Sequence, residues 1–198
     1  MTDNLPSTDR VRIEGVETLS TNWGTLKKYS ILYRRSDGVT ERQSREVYDR
    51  GAGAAILLYD KQRGTIILTR QFRLPALLNG HPDGMLLEAP AGLLDSDDPV
   101  TAIRREAEEE TGYRIVDVKE ALAAYMTPGS VTERLHLFTA EYTAADRVSA
   151  GGGHQDEGED IEVIEVTLEN ALAMVERGEI IDAKTIILLY HARLKALI

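Results

Sequence analysis

Residues 91–113, AGLLDSDDPVTAIRREAEEETGY, constrain the fold of this chain more than any other stretch. Asp98 is a favourable helix N-cap, and Pro99 suits the first helical position, where a missing N–H is tolerated. Gly112 suits the left-handed residue just past a helix end. Between these signals Val100, Ile103 and Ala107 recur at helical spacing, so one stripe faces a core. Glu106, Glu109 and Glu110 share another face. Like charges three and four residues apart repel by about 0.2–0.5 kcal/mol, and glutamates at a helix C-terminus oppose its dipole. A solvated acidic face is the simplest reading. A hard divalent cation, which takes oxygen ligands from carboxylates and phosphate, would reverse the sign of these terms.

The rest of the chain supplies a sheet for this helix. Residues 11–19 alternate as a strand; 26–35 and 39–48 flank the Asp-Gly turn of SDG and read as a hairpin. GAAILLYD (53–60) and TIIL (65–68) are adjacent buried strands around KQRG. In the following RQFR, strand geometry sends Arg70 and Arg73 to opposite faces, one able to reach a phosphate while the other pairs with an acid. Residues 75–84 read as a loop with Asn-Gly and Asp-Gly turns, and 85–89 as a short strand, so the central stretch is strand, loop, helix. Residues 115–126 show a mixed pattern, and 135–142 and 161–166 read as strands. The segment SAGGGHQDEGED (149–160) reads as a flexible acidic loop. Helices follow at 168–177, stopped by Gly178, and at 182–197. Many strands with three helices give either an α+β fold or a sandwich of sheet between helices. The expected domains are an N-terminal β extension over 1–50 and a domain built around the central stretch over 51–198.

Composition narrows the function. The formal net charge of −10 disfavours nucleic-acid backbones and anionic membrane surfaces. No run reaches the roughly 18 apolar residues of a membrane span. With no cysteine there is no disulfide, thiol catalysis or zinc–thiolate site. The first ten residues, MTDNLPSTDR, lack the apolar core of a signal peptide, so a cytoplasmic location is expected. Trp23, the sole tryptophan, sits in the polar STNWGT: it is either a stacking platform or packed on its own sheet or a partner subunit.

GLLDSDDPVTAIRREAEEETGY resembles the signature box of the Nudix hydrolases, with Arg105, Glu106, Ala107, Glu109, Glu110, Gly112 and Tyr113 in register. The front departs from the box: Gly92 to Arg105 is one residue short, and Asp97 or Asp98 replaces its first glutamate. REVYDRG, the shortened AGLLDSDDP, YMTPGSVTE and AGGG…EDIEV are similar to the branch of that family acting on GDP-mannose, and the similarity spans about residues 20–189.

The resemblance implies a Nudix α/β/α sandwich with a mixed sheet, preceded by an N-terminal antiparallel sheet used in dimerisation. It implies Mg²⁺-dependent hydrolysis of the pyrophosphate bond of a nucleotide sugar, GDP-mannose giving GMP and mannose 1-phosphate. ADP-ribose cleavage is the alternative, and Mn²⁺ the second candidate metal. Carried over by motif, Glu106, Glu110, Glu159 and the carbonyl of Ala91 would hold metal. Glu157 would be the general base, or would help hold metal or orient water. Trp23, Arg45, Glu46, Arg73, Ala91, Gly92, Leu93, Glu110, Glu133, Glu159 and Lys184 would bind substrate, in a site shared by the two chains of a homodimer. Ser44 stands where the branch has a basic residue, and His154–Gln155 lengthens the acidic loop by two. Arg105 is expected to pair with the box carboxylates rather than with substrate.

Overall fold

The computed structural model describes residues 6–154, 156 and 158–198. Two compact units divide the chain: one runs to Gly51 and takes in Thr127–Glu133, and the other is Ala52–Met126 with Arg134–Ile198.

The first unit is an antiparallel meander of β1 (Val11–Thr21), β2 (Thr25–Arg34) and β3 (Thr40–Asp49). The expected hairpin forms at Asp37–Gly38, where the glycine takes φ +86° and Asp37 Oδ1 accepts from the Val39 N–H at 3.0 Å. At the other turn, a Cβ on Gly24 would lie 2.5 Å from the Tyr48 hydroxyl, so only glycine fits. Thr127–Glu133 adds to β3, with Tyr48 N–H donating to Ser130 O (2.8 Å) and Thr132 N–H to Tyr48 O (3.0 Å).

The second unit is built on β4 (Gly53–Asp60), whose eight residues are all buried. Its side chains alternate between two cores, as a strand covered on both faces requires. Ala55, Leu57 and Tyr59 pack with Leu168 and Ala171 of α3 (Leu168–Glu176) and with Leu188, Leu189 and Ala192 of α4 (Ala183–Leu194). Ala54, Ile56 and Leu58 pack with Ile103 and Ala107 of α2 (Pro99–Thr111). Each fully buried Leu or Ile contributes about 1.5–3 kcal/mol, so β4 anchors both layers. The result is a mixed sheet between α2 on one face and α3 with α4 on the other.

β4 pairs antiparallel with β5 (Thr65–Phe72) and with β7 (Ala91–Leu93), and parallel with β9 (Arg134–Glu141). β8 (Val118–Tyr125) and β10 (Glu162–Thr167) complete the path β10-β5-β4-β9-β8. β6 (Met85–Glu88) pairs with the polar second half of β5, which therefore runs four residues beyond TIIL. The expected loop after β5 begins instead with one helical turn, α1 (Leu74–Leu78), started by Pro75; the Asn-Gly and Asp-Gly turns lie just beyond it, with Gly80 and Gly84 at φ +94° and +70°.

Candidate active site

α2 is laid down by its caps as the sequence requires. Asp98 accepts hydrogen bonds from the Val100 and Thr101 N–H groups, and Gly112 takes the left-handed conformation at φ 79°. The apolar stripe docks on β4, and this rotation turns Glu106 and Glu110 towards β7. Glu110 is only 1% exposed, and its Oε2 accepts from the Ala91 N–H at 3.1 Å. Glu106 presses on the next residue: a Cβ on Gly92 would lie 2.1 Å from the Glu106 carboxyl carbon. Arg105 bonds Glu106 (2.9 Å) and Glu109 (3.0 Å), the structural pairing expected of it.

The acidic loop reaches this helix through its glycines. Gly151, Gly152 and Gly153 take φ of +73°, +114° and +76°, so the run read as a source of freedom is a set of fixed left-handed turns. Gly152 N–H donates to Glu110 O (2.9 Å) and Gly153 N–H to Glu109 O (3.1 Å), satisfying carbonyls that the helix end leaves open. A Cβ on Gly151 would meet Glu110 O at 2.5 Å, and one on Gly153 would meet Glu159 Oε2 at 2.4 Å. The loop thus carries Glu159 towards the helix, where its Oε2 accepts from the His154 N–H at 2.9 Å. His154 Nε2 lies 3.1 Å from Glu109.

These neighbours shape the electrostatics. Burial pushes the Glu110 carboxyl up to about 8; the Ala91 N–H and Arg73 oppose the rise, while the charges of Glu106 and Glu159 add to it. A pocket that protonates a carboxyl for want of a counter-charge suits a cation. Among the described residues, no three acidic or imidazole groups stand at ready ligating spacing. Arg105 holds Glu106 and the His154 N–H holds Glu159, as stand-ins for positive charge. The donors are all carboxylate oxygens beside a backbone carbonyl, the chemistry of a hard divalent cation rather than a soft one.

Next to the acids lies a cationic pair that sequence reasoning left incomplete. Arg73 Nε and Nη2 fork onto Glu88 Oε1 and Oε2 at 2.7 and 2.9 Å, and Lys184 Nζ bonds the same Oε2 and, at 3.0 Å, Asp182. Glu88 is 2% exposed. Burial opposes its ionisation, but the Arg73 hydrogen bonds and the Lys184 and Arg73 charges hold it below the usual carboxylate range. Arg70 goes elsewhere, to Asp83 (3.2 Å) and Glu162 (3.5 Å), so the two arginines part as strand geometry predicts. A sequence signal for Glu88 existed: it ends the otherwise apolar MLLE strand, where a carboxylate needs a partner.

Trp23, Arg45, Glu46 and Glu133 belong to the first unit. Trp23 is 70% exposed, with the Arg50 guanidinium 5.3 Å from its ring centre. Arg50 also bonds Glu133 (2.6 and 2.9 Å), so one arginine, not singled out from the sequence, joins two of the predicted residues. Arg45 and Glu46 are exposed on β3, and Arg45 bonds Gln43 at 2.7 Å. Leu93 is half-buried in β7. Glu157 lies outside the described residues.

A sequence model described as the GDP-mannose pyrophosphatase NudK N-terminal domain matches residues 10–48, and one of the NUDIX domain matches 49–189. A GDP-mannose pyrophosphatase of Pectobacterium atrosepticum is 55% identical over 174 residues, 88% of this chain and 89% of that protein. Another, from Yersinia enterocolitica, is 50% identical over 190 residues, 95% and 98% of the two chains. In fold, the chain is similar to a crystal structure of an ADP compounds hydrolase, with a TM-score of 0.70 at 22% identity over 98% of each chain. Members of the NUDIX family use divalent metal ions, in keeping with the oxygen donors around Glu110. With the NUDIX domain spanning well over half of its length, the chain belongs to the NUDIX family.

Proposed function

We propose that this protein hydrolyses the pyrophosphate bond of a nucleotide sugar, GDP-mannose giving GMP and mannose 1-phosphate, with Mg²⁺ as its metal. The observation that carries the proposal is the packing of Glu106 and Glu110 against the Ala91–Gly92 backbone, with the Glu159 charge acting on Glu110 and with Arg73 and Lys184 joined on Glu88. Relatives of that activity, 50–55% identical over nearly the whole chain, support the choice of nucleotide.

The chain's own residues divide the work. Glu106, Glu110, Glu159 and the Ala91 carbonyl would hold the metal. Once bound, it supplies charge neutralisation at the phosphate oxygens and a lowered pKa for bound water. Glu110 is oriented by the Ala91 N–H, and Arg105 fixes Glu106 between its neighbours. The fork of Arg73 is suited to pyrophosphate oxygens, and Lys184 adds a point charge. Glu157 is the proposed general base, accepting a proton from the attacking water. Trp23 stacks the base, a contact worth about 1–3 kcal/mol. Leu93, Arg45, Glu46 and Glu133 complete the substrate site. The segment 1–50 is the dimerising extension and 51–198 the catalytic domain, with a site built from both chains of a cytoplasmic homodimer. The described residues contain no helix long and apolar enough to cross a membrane.

A panel of nucleotide sugars with Mg²⁺, read by mass spectrometry of products, tests the assignment. GDP-mannose is expected to exceed ADP-ribose at least tenfold in kcat/KM. A tenfold preference for ADP-ribose would overturn the substrate, and no turnover of any member would overturn the activity.

A further inference from the structure

We infer that Glu88 is a positioning residue that holds Arg73 and Lys184 together as one cationic clamp for the substrate's phosphates. The inference rests on the proposed phosphoanhydride chemistry. Arg73 stands just past the end of β5 and Lys184 in the first turn of α4, 111 positions apart in sequence, and the carboxylate of Glu88 is their common partner. Glu88 itself is shielded from any ligand at 2% exposure, whereas the Arg73 side chain remains 39% exposed. An arginine has five N–H donors and Glu88 takes two; an ammonium has three, of which Glu88 and Asp182 take two. Both cations therefore keep donors for a second anion while the buried carboxylate fixes where they point.

The same geometry argues against a role in stability alone. A buried ion cluster is often no more stabilising than the apolar packing it replaces, because its charges must be desolvated. Here the triad also sits beside the acidic pocket: the Arg73 charge acts on Glu110 and the Glu110 charge on Arg73. Without Glu88, Arg73 is drawn towards Glu110 and Asp182, and Lys184 towards Asp182. The pair then no longer faces one phosphate group. If Glu88 served only to neutralise charge, its removal would instead leave a more positive site and tighten binding of an anionic substrate.

The test uses full-length Glu88→Gln and Glu88→Asp, the second keeping the charge but withdrawing it by one methylene. Melting curves establish that each is folded; where Glu88→Gln is not, the same criteria apply to Glu88→Asp. With the best nucleotide sugar of the wild type and Mg²⁺, KM is expected to rise at least tenfold in Glu88→Gln and less in Glu88→Asp, with kcat within about threefold. A second readout needs no turnover. Acylation of Lys184 by a water-soluble reagent, followed by peptide mass spectrometry, should be several-fold faster in Glu88→Gln, because Nζ is released from the carboxylate that holds it. Inorganic pyrophosphate should protect Lys184 in the wild type and require at least tenfold higher concentration in the variant. An unchanged or lowered KM, or unchanged labelling and protection, would overturn the inference. So would a fall in kcat and melting temperature at constant KM. Absence of any wild-type turnover would count against the proposed activity, and the labelling and protection arms would then decide the role of Glu88 by themselves.

Discussion

Gly92→Ala separates the fold from the chemistry with a single methyl group. Gly92 pairs with Ala54 in the β7–β4 ladder, and its backbone is outside the left-handed region, so alanine suits it locally. The new Cβ would lie 2.1 Å from Glu106 Cδ, 2.3 Å from Oε1 and 2.5 Å from Cγ, all atoms of one side chain. To reach ordinary carbon contact the carboxyl must retreat by about 1.5 Å. Gly→Ala at a compatible position gains about 0.4–1 kcal/mol, against about 1–3 kcal/mol for overpacking. The net loss of about 1 kcal/mol lowers Tm by about 2–4 °C in a chain of this size. Activity should suffer far more, because an error of about 1 Å in a catalytic group can cost about 10²-fold, or about 2.7 kcal/mol of barrier. The assay is kcat and its Mg²⁺ dependence beside a melting curve. In the Gly92→Ala background, Glu106→Asp should cost much less than in the wild type, since both changes move the same carboxylate. A near wild-type kcat with unchanged Mg²⁺ dependence would refute the reasoning. So would loss of the folded state, which would mean that backbone rather than a side-chain tip was displaced.

Gly151→Ala should fail in the opposite way. Its φ of +73° and a Cβ 2.5 Å from Glu110 O both involve backbone, so denaturant unfolding should show a loss of about 3 kcal/mol or more. Glu110→Gln should abolish Mg²⁺-dependent turnover yet stabilise chelator-treated protein at alkaline pH. Burial raises the Glu110 pKa from 4.5 to about 8, so the contribution of its protonated form is complete below about pH 4.5 and is lost as pH rises through about 8. A higher Tm for the variant at pH 8–9, vanishing near pH 5, is the expected result; parallel curves would show that Glu110 does not carry this titration. Trp23→Ala should raise KM for the nucleotide about tenfold with kcat little changed, measured on GDP-mannose; an unchanged KM would assign the ring of Trp23 to packing alone.

What the sequence shows readily here is what is local. The Asp98 cap, the Gly112 stop and the alternation of GAAILLYD each depend on residues within one or two turns, so α2 and β4 lie where those signals place them. The one-residue-short front of the box does not disturb them, because the helix starts from its own Asp98–Pro99 signal. The helical turn at Leu74–Leu78 escapes for the same reason in reverse. Five residues carry too little periodicity to stand against the Asn-Gly and Asp-Gly turns that follow.

The site is less legible because it is assembled at long range. Glu88 bonds partners 15 and 96 positions away, and Arg50 bonds Glu133 from 83 positions away; the apolar strand marks Glu88 as needing a partner without naming one, and nothing local distinguishes Arg50 from a surface ion. The glycines of 151–153 mark the limit most sharply. In one dimension a run of glycine is indistinguishable from slack, since freedom and close approach ask for the same residue. In three dimensions their N–H groups close the C-terminal carbonyls of α2 and their missing side chains admit Glu110 O and the Glu159 carboxylate. The acidic helix end that looks unfavourable in isolation is therefore half of a pairing. The loop supplies N–H groups to the very carbonyls whose dipole the glutamates oppose, and it adds a further carboxylate to a site already short of positive charge. The first effect eases the negative charge at the helix end, and the second concentrates the demand for a cation at Glu110, the most buried acid of the group.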